Sequence, residues 1–187
     1  MAPSHAAVLA ATRAWLERAV IGLNLCPFAK AVLAKGQVHF AVTAAASADQ
    51  VLQELAKELD ALVARDAEER ETTLLVVPHG LREFLEFNAV AARGERLIRK
   101  KGYEGVLQLA SFHPDYCFAD LDVGDMANFS NRSPYPTLHL LREASVERAV
   151  HAFPDPESIY GANIGTLRDL GPAGWTALNV GAGHQSR

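Results

Sequence analysis

Cysteine is scarce in this chain. Cys26 and Cys117 are the two among 187 residues, which allows one bridge at most, and a chain of this length buries enough apolar surface to stand without it. Free thiols and a reducing compartment are the expectation, and the chain is read as cytoplasmic. Also missing is any uninterrupted apolar stretch of the roughly 20 residues that a membrane span requires, so no membrane partner is expected. The N-terminal MAPSHAAVLAATRAWLERAV has no basic leader and is interrupted by Arg13, Glu17 and Arg18, which argues against a signal peptide.

An excess of one charge is lacking as well. Eighteen Lys and Arg stand against 22 Asp and Glu, a net charge of −4, so nucleic acid, whose phosphates need a basic face, is not an expected partner. The basic run RLIRKK, residues 96–101, reads as a solvated helix end. There is no Walker A motif and no G-x-G-x-x-G turn after a strand. An EF-hand loop opened at Asp120 puts Asp125 where glycine belongs and Asn131 where glutamate belongs.

What is present, 49% hydrophobic and 21% charged residues, is the balance of a globular protein. One domain over residues 1–187 is expected, with a mobile tail from about Gly174. Ser4 caps a first helix whose Val8, Trp15, Leu16, Ala19 and Leu23 recur at helical spacing, and Cys26-Pro27 opens a short second one. QVHFAVT, residues 37–43, reads as a strand, and Ser47 with Gln50 forms a capping box for the next helix. TTLLVV, residues 72–77, is apolar enough for a strand covered on both faces. A long helix over residues 81–101 and a strand over 106–112 follow.

This β-α-β-α-β run predicts an α/β fold, a small mostly parallel sheet with flanking helices and a helical C-terminal part. The alternative is an α+β ferredoxin-like sheet with antiparallel pairs. In the parallel arrangement, ligands gather beyond the C-terminal strand edge, where Pro78-His79-Gly80 and His113-Pro114-Asp115 would lie. Residues 111–136 then form a long, irregular, Asp-, Asn- and Pro-rich connection, and loops of that length inside a compact domain are more often functional than idle. Helices are expected to resume at Ser133 or Pro136, after Ser145, and at Asp155-Pro156, the last stopped by Gly171-Pro172.

Four groups of residues carry candidate chemistry. In NFSNRSPYPTLHLLRE, residues 128–143, Ser133 would cap a helix whose first turn holds both prolines, so Asn131, Arg132 and Ser133 would face an anion with backbone amides and a bidentate guanidinium. The bland reading pairs Arg132 with a loop aspartate. On the same expected helix His139 and Glu143 stand four apart with Arg142 between, as an acid/base or metal pair or as a carboxylate that orients a structural histidine. His113, at a strand end, is placed for general acid/base work with Asp115 to orient it. Cys26, just before a helix start, is either an activated nucleophile or a packed thiol. Asn88 and Asn163 sit on helix faces that otherwise look apolar, placed to meet a ligand or to pin a loop. The spacings fix no metal site, and no cofactor is assigned.

NLCPF at 24–28, FHPDYCFAD at 112–120, NRSPYPTLHLLRE at 131–143 and IYGANIGTLRDLG at 159–171 together resemble the uncharacterised bacterial family known as domain of unknown function 1415. The resemblance spans nearly the whole chain, Cys117 being a departure from the pattern, and implies a compact bacterial domain with no activity to carry over. Two functions are therefore expected side by side. One is an enzyme acting on a small anionic metabolite by His/carboxylate chemistry, with or without a metal. The other is a non-catalytic binding or scaffold protein in which the same polar groups lock the long loop to the core.

Overall fold

The structure, a computed structural model, describes residues 2–152 and 156–181. Helix α1 (His5–Trp15) is capped by Ser4, whose Oγ accepts from the Ala7 amide at 3.3 Å, and it runs on into a π-helical turn over Leu16–Ile21. After a short α2 (Ala29–Ala34) come β1 (Val38–Val42), α3 (Ala48–Val63), β2 (Thr72–Val76), α4 (Phe84–Lys100) and β3 (Leu107–Phe112). The Ser47–Gln50 capping box at α3 is formed in both directions. All five residues of β2 are buried, as a strand covered on two faces requires.

The predicted α/β class holds at the level of mixed helix and strand, but the mostly parallel sheet does not. The order is β1-β2-β4-β3, and one of its three pairings is parallel, β1 with β2. The fourth strand, β4 (Thr137–Arg142), is TLHLLR, read from sequence as a helix. It inserts antiparallel between β2 and β3, with Phe112 opposite Thr137 and Leu75 opposite Leu138. A short run of leucines is compatible with either element, and a proline before a strand costs no more than one before a helix. What settled the choice is the open position between β2 and β3, whose backbone groups needed partners. The Val77 amide, just past β2, donates to the Pro136 carbonyl at 2.8 Å.

Each sheet face has its own cover. Helices α3 and α4 lie over Leu75, Leu107, Leu138 and Leu140. They approach closely at Gly94, where a Cβ would meet Leu55 Cδ2 at 2.8 Å and Leu109 Cδ2 at 2.9 Å. The opposite face, Leu74, Val76, Phe40 and Phe112, is covered by α1, the π turn and the C-terminal stretch. The chain ends in α5 (Glu143–Ala152) and α6 (Pro156–Ala177), the latter broken at Gly171, whose φ of 65 turns the axis before Pro172. The expected cap at Asp155 lies outside the described residues. Beyond Gly174, Trp175 packs edge-on against Phe129 at 4.9 Å, Val180 is buried, and Arg18 Nη1 donates to the Leu178 and Asn179 carbonyls.

Candidate functional site

Five of the residues singled out in sequence, His113, Asp115, Asn131, Arg132 and Ser133, lie on the connection 113–136, which leaves the C-terminal edge of β3 and returns at the same edge into β4. His113 is the first residue past β3 and is 0% exposed. Its Nδ1 accepts from the Asp115 amide at 3.0 Å, which leaves the ring proton on Nε2 to donate to the Leu81 carbonyl at 3.0 Å. Phe84 and Phe87 flank the ring at 5.4 and 5.1 Å. Burial pushes the imidazole below its usual pKa, against the opposing pull of the Leu81 carbonyl and the Asp115 charge. Leu81 holds a φ of 55, a conformation a leucine rarely adopts, and the His113 bond helps to hold it there. The backbone amide of Asp115 orients the imidazole; its carboxylate is exposed.

No helix begins at Ser133. Its Oγ donates to the Tyr135 carbonyl at 2.6 Å, in a turn that delivers the chain to β4, so the expected row of helix-terminal amides does not exist. Arg132 donates from Nε to the Tyr116 carbonyl at 3.1 Å and from Nη2 to the Val123 carbonyl at 2.8 Å, with its guanidinium 4.3 Å above the Phe129 ring. Asn131 donates to the Ser111 carbonyl at 3.3 Å, and its own carbonyl accepts from the His113 amide at 3.1 Å. All three are brought together, as clasps across the two ends of one loop.

His139 and Glu143 are parted by the same change of element. His139 lies in β4 and Glu143 opens α5, so they do not share a helix face. The Thr72 hydroxyl donates to the Leu140 carbonyl at 2.6 Å, so toward His139 Nε2, at 2.7 Å, it acts as acceptor and the imidazole is the neutral Nε2–H tautomer. Burial lowers the His139 pKa to about 4. Arg142 reaches across to the end of α3, donating to the carbonyls of Leu62 at 2.8 Å, Arg65 at 2.7 Å and Arg70 at 2.9 Å. A cation at a helix C-terminus also meets the negative end of the helix dipole.

The remaining candidates are scattered. Cys26 is half-buried in the turn before α2, against the α1 layer. Asn88 is exposed on α4, since the buried stripe runs through Phe87, Val90 and Gly94. Asn163 donates to the Leu25 carbonyl at 2.8 Å, pinning the turn after the π helix.

Two depressions are found elsewhere on the surface. One of about 470 Å³ lies between α3 and α4, and one of about 190 Å³ lies beside α4 and β3, with Glu143 at its edge. Neither is lined by His113, Arg132 or His139. Among the described residues no three His, Cys, Asp or Glu side chains come together to hold a metal ion.

Sequence reasoning passed over the residues that hold this region most firmly. Asn128, 0% exposed, accepts from the Phe118 amide at 3.0 Å and donates to the Asp122 carbonyl at 2.8 Å and to Val123 at 3.4 Å. Its signal was available, an amide set among the apolar Met126, Ala127 and Phe129. Asp125 holds Arg168 of α6 through Oδ2 at 2.7 Å, while Oδ1 accepts from the Ala127 amide. The Arg168 contact keeps the Asp125 carboxyl below its usual range. Arg70, hidden in sequence by the charged run 66–71, is buried and bonded to Glu58 and Thr73.

Among known proteins, the profile of a family described as a protein of unknown function, DUF1415, matches residues 7–177, and the chain belongs to that family. No curated protein and no solved structure matches it. No helix among the described residues is long and apolar enough to cross a membrane.

Proposed function

We propose, for a chain whose family brings no activity with it, that this protein is a non-catalytic binding or scaffold protein. The polar residues of 113–143 serve it as an internal framework, holding the long loop rigid against the sheet. One observation carries this reading above that of an acid/base enzyme. His113, Arg132 and Arg142, the groups best suited to meet a substrate, donate their protons to backbone carbonyls of their own chain, at Leu81, at Tyr116 and Val123, and at Leu62, Arg65 and Arg70. A general base needs a lone pair within reach of substrate, and both His113 nitrogens are engaged inside the fold. Two of the three Arg132 nitrogens are committed too, which weakens the case for a small anionic ligand at that point. The unpaired thiols of Cys26 and Cys117 fit a reducing cytoplasm.

The framework reading assigns Asn128 and Arg132 to stability. Asn128→Ala strands the Phe118 amide and the Asp122 carbonyl and is expected to cost about 2–4 kcal/mol, a fall of roughly 4–16 °C in melting temperature for a chain of this size. Arg132→Ala is expected to lower the melting temperature and to raise hydrogen exchange over residues 116–125. A thermal-shift screen against anionic metabolites and divalent cations should give the two variants no special loss of response. The enzyme reading returns if Arg132→Ala melts like the parent and abolishes a metabolite-induced shift.

A further inference from the structure

The basic run of α4 and the helix α5 remain without a role in that framework, and they match one another. The depression of about 470 Å³ between α3 and α4 has an apolar floor of Leu52, Ala56 and Leu97, with Arg93, Arg96 and Lys100 along one wall and no acidic lining residue. Cross-helix ion pairs close its two ends, Arg93 with Asp49 at 2.7 Å and Lys101 with Asp60 at 2.8 Å. Between them Arg96 and Lys100, one helical turn apart, have no acidic partner among the described residues. In a protein of net charge −4 this is a local concentration of unpaired positive charge beside an apolar trough.

Helix α5 has the opposite character. None of its residues is fully buried; Val150 is 44% exposed, while Val146 is mostly covered and offers only an exposed edge. Glu143 and Glu147 stand one turn apart on either side of Val146, with Val150 beyond them, as Arg96 and Lys100 stand on either side of Leu97. Glu147 has no cationic partner among the described residues, while Arg148, on another flank, turns toward Glu71 of its own chain at 3.7 Å. Positions 143, 146, 147 and 150 thus form an acidic, apolar stripe in the i, i+3, i+4, i+7 pattern by which a helix is laid into a groove.

We infer that the chain self-associates, α5 of a second copy lying in the α3–α4 groove of the first, with Val150 and the exposed edge of Val146 over Leu52, Ala56 and Leu97 and with Glu147 against Arg96 and Lys100. A reciprocal pairing closes as a twofold dimer, and a one-way pairing continues as a chain of copies. Ten helical residues bury a modest area, so association is weak and salt-dependent.

Light scattering on the purified full-length chain, from about 5 to 300 µM at low and high salt, tests this by mass action. A rise of apparent mass above the monomer with concentration, reduced by salt, is expected. Lys100→Glu and Glu147→Lys, both exposed and each bringing like charges together, should each weaken association at least about fivefold. The Lys100→Glu/Glu147→Lys double variant should regain it, which loss of folding cannot imitate, and circular dichroism confirms that each variant is folded. A monomer at every concentration overturns the proposal. So does a double variant no tighter than either single one, and so does association indifferent to both charges.

Discussion

Lowering the pH should unlock the sheet through His139, and the size of the effect follows from its surroundings. The ring stands on β4 beside Leu74, with Phe112 6.0 Å away, and donates from Nε2 to a Thr72 hydroxyl whose own proton is spent on the Leu140 carbonyl. Burial brings its pKa from 6.5 to about 4 in the folded state. Between those two values the unfolded chain binds more protons than the folded one, so the stability this group contributes is complete above pH 6.5 and is lost as the pH falls toward 4. Over the interval from pH 7.5 to 4.5 the loss amounts to about 2.5 kcal/mol. That is an upper figure, because His139 keeps a small exposed edge at which an imidazolium would be partly hydrated. Urea unfolding of the parent and of His139→Gln at a series of pH values measures it. Glutamine can still donate to Thr72 and does not titrate, so the difference between the two curves isolates His139 from His113, whose depressed pKa acts in the same direction. The difference should shrink by up to about 2.5 kcal/mol on acidification. Two stability curves running parallel from pH 7.5 to 4.5 would falsify the assignment, as would an NMR titration placing the His139 midpoint near 6.5.

Arg142→Leu removes the charge-assisted bonds that hold Leu62, Arg65 and Arg70, and a loss of about 2–4 kcal/mol is expected in urea unfolding. Arg142→Lys should recover only part of it, since one ammonium does not span the carbonyls a guanidinium reaches, and equal stability of the two variants would refute the role of the fork. At Gly80 an added Cβ would sit 2.6 Å from the Ala46 carbonyl oxygen, a backbone neighbour that cannot swing aside. Gly80→Ala is expected to destabilise by about 1–3 kcal/mol, whereas Gly161→Ala, with open space around it in α6, should be neutral or stabilising by up to about 1 kcal/mol. Thermal melts of the pair check the contrast, and equal melting temperatures would contradict the packing at Ala46.

Much of the scaffold was legible because its signals are local. The Ser4 and Ser47 caps, the apolar stripes of α1, α3 and α4, and the wholly apolar β2 depend on residues within a turn or two of one another, and each formed where the spacing put it. Residues 113–136 were marked as the place where polar groups collect, and the loop does hold His113, Asn131 and Arg132 together. Their roles were not legible, because a donor's role depends on where its partner lies. The partner of His113 is a carbonyl 32 residues away, and those of Arg142 lie 72 to 80 residues away.

By itself, then, the sequence determined a mixed helix-and-strand fold without a membrane-spanning helix, the first three strands and their helices, and the loop in which polar side chains concentrate. Periodicity and capping are short-range, so they act before the chain is packed. Only the tertiary structure decided that TLHLLR is a strand. Between β2 and β3 there was a gap whose backbone donors and acceptors had to be satisfied, and the nearest returning segment filled it, turning an expected helix entrance into the start of an interior strand. That single placement separated His139 from Glu143, left Ser133 without a helix to cap, and turned Arg132 toward carbonyls of the loop.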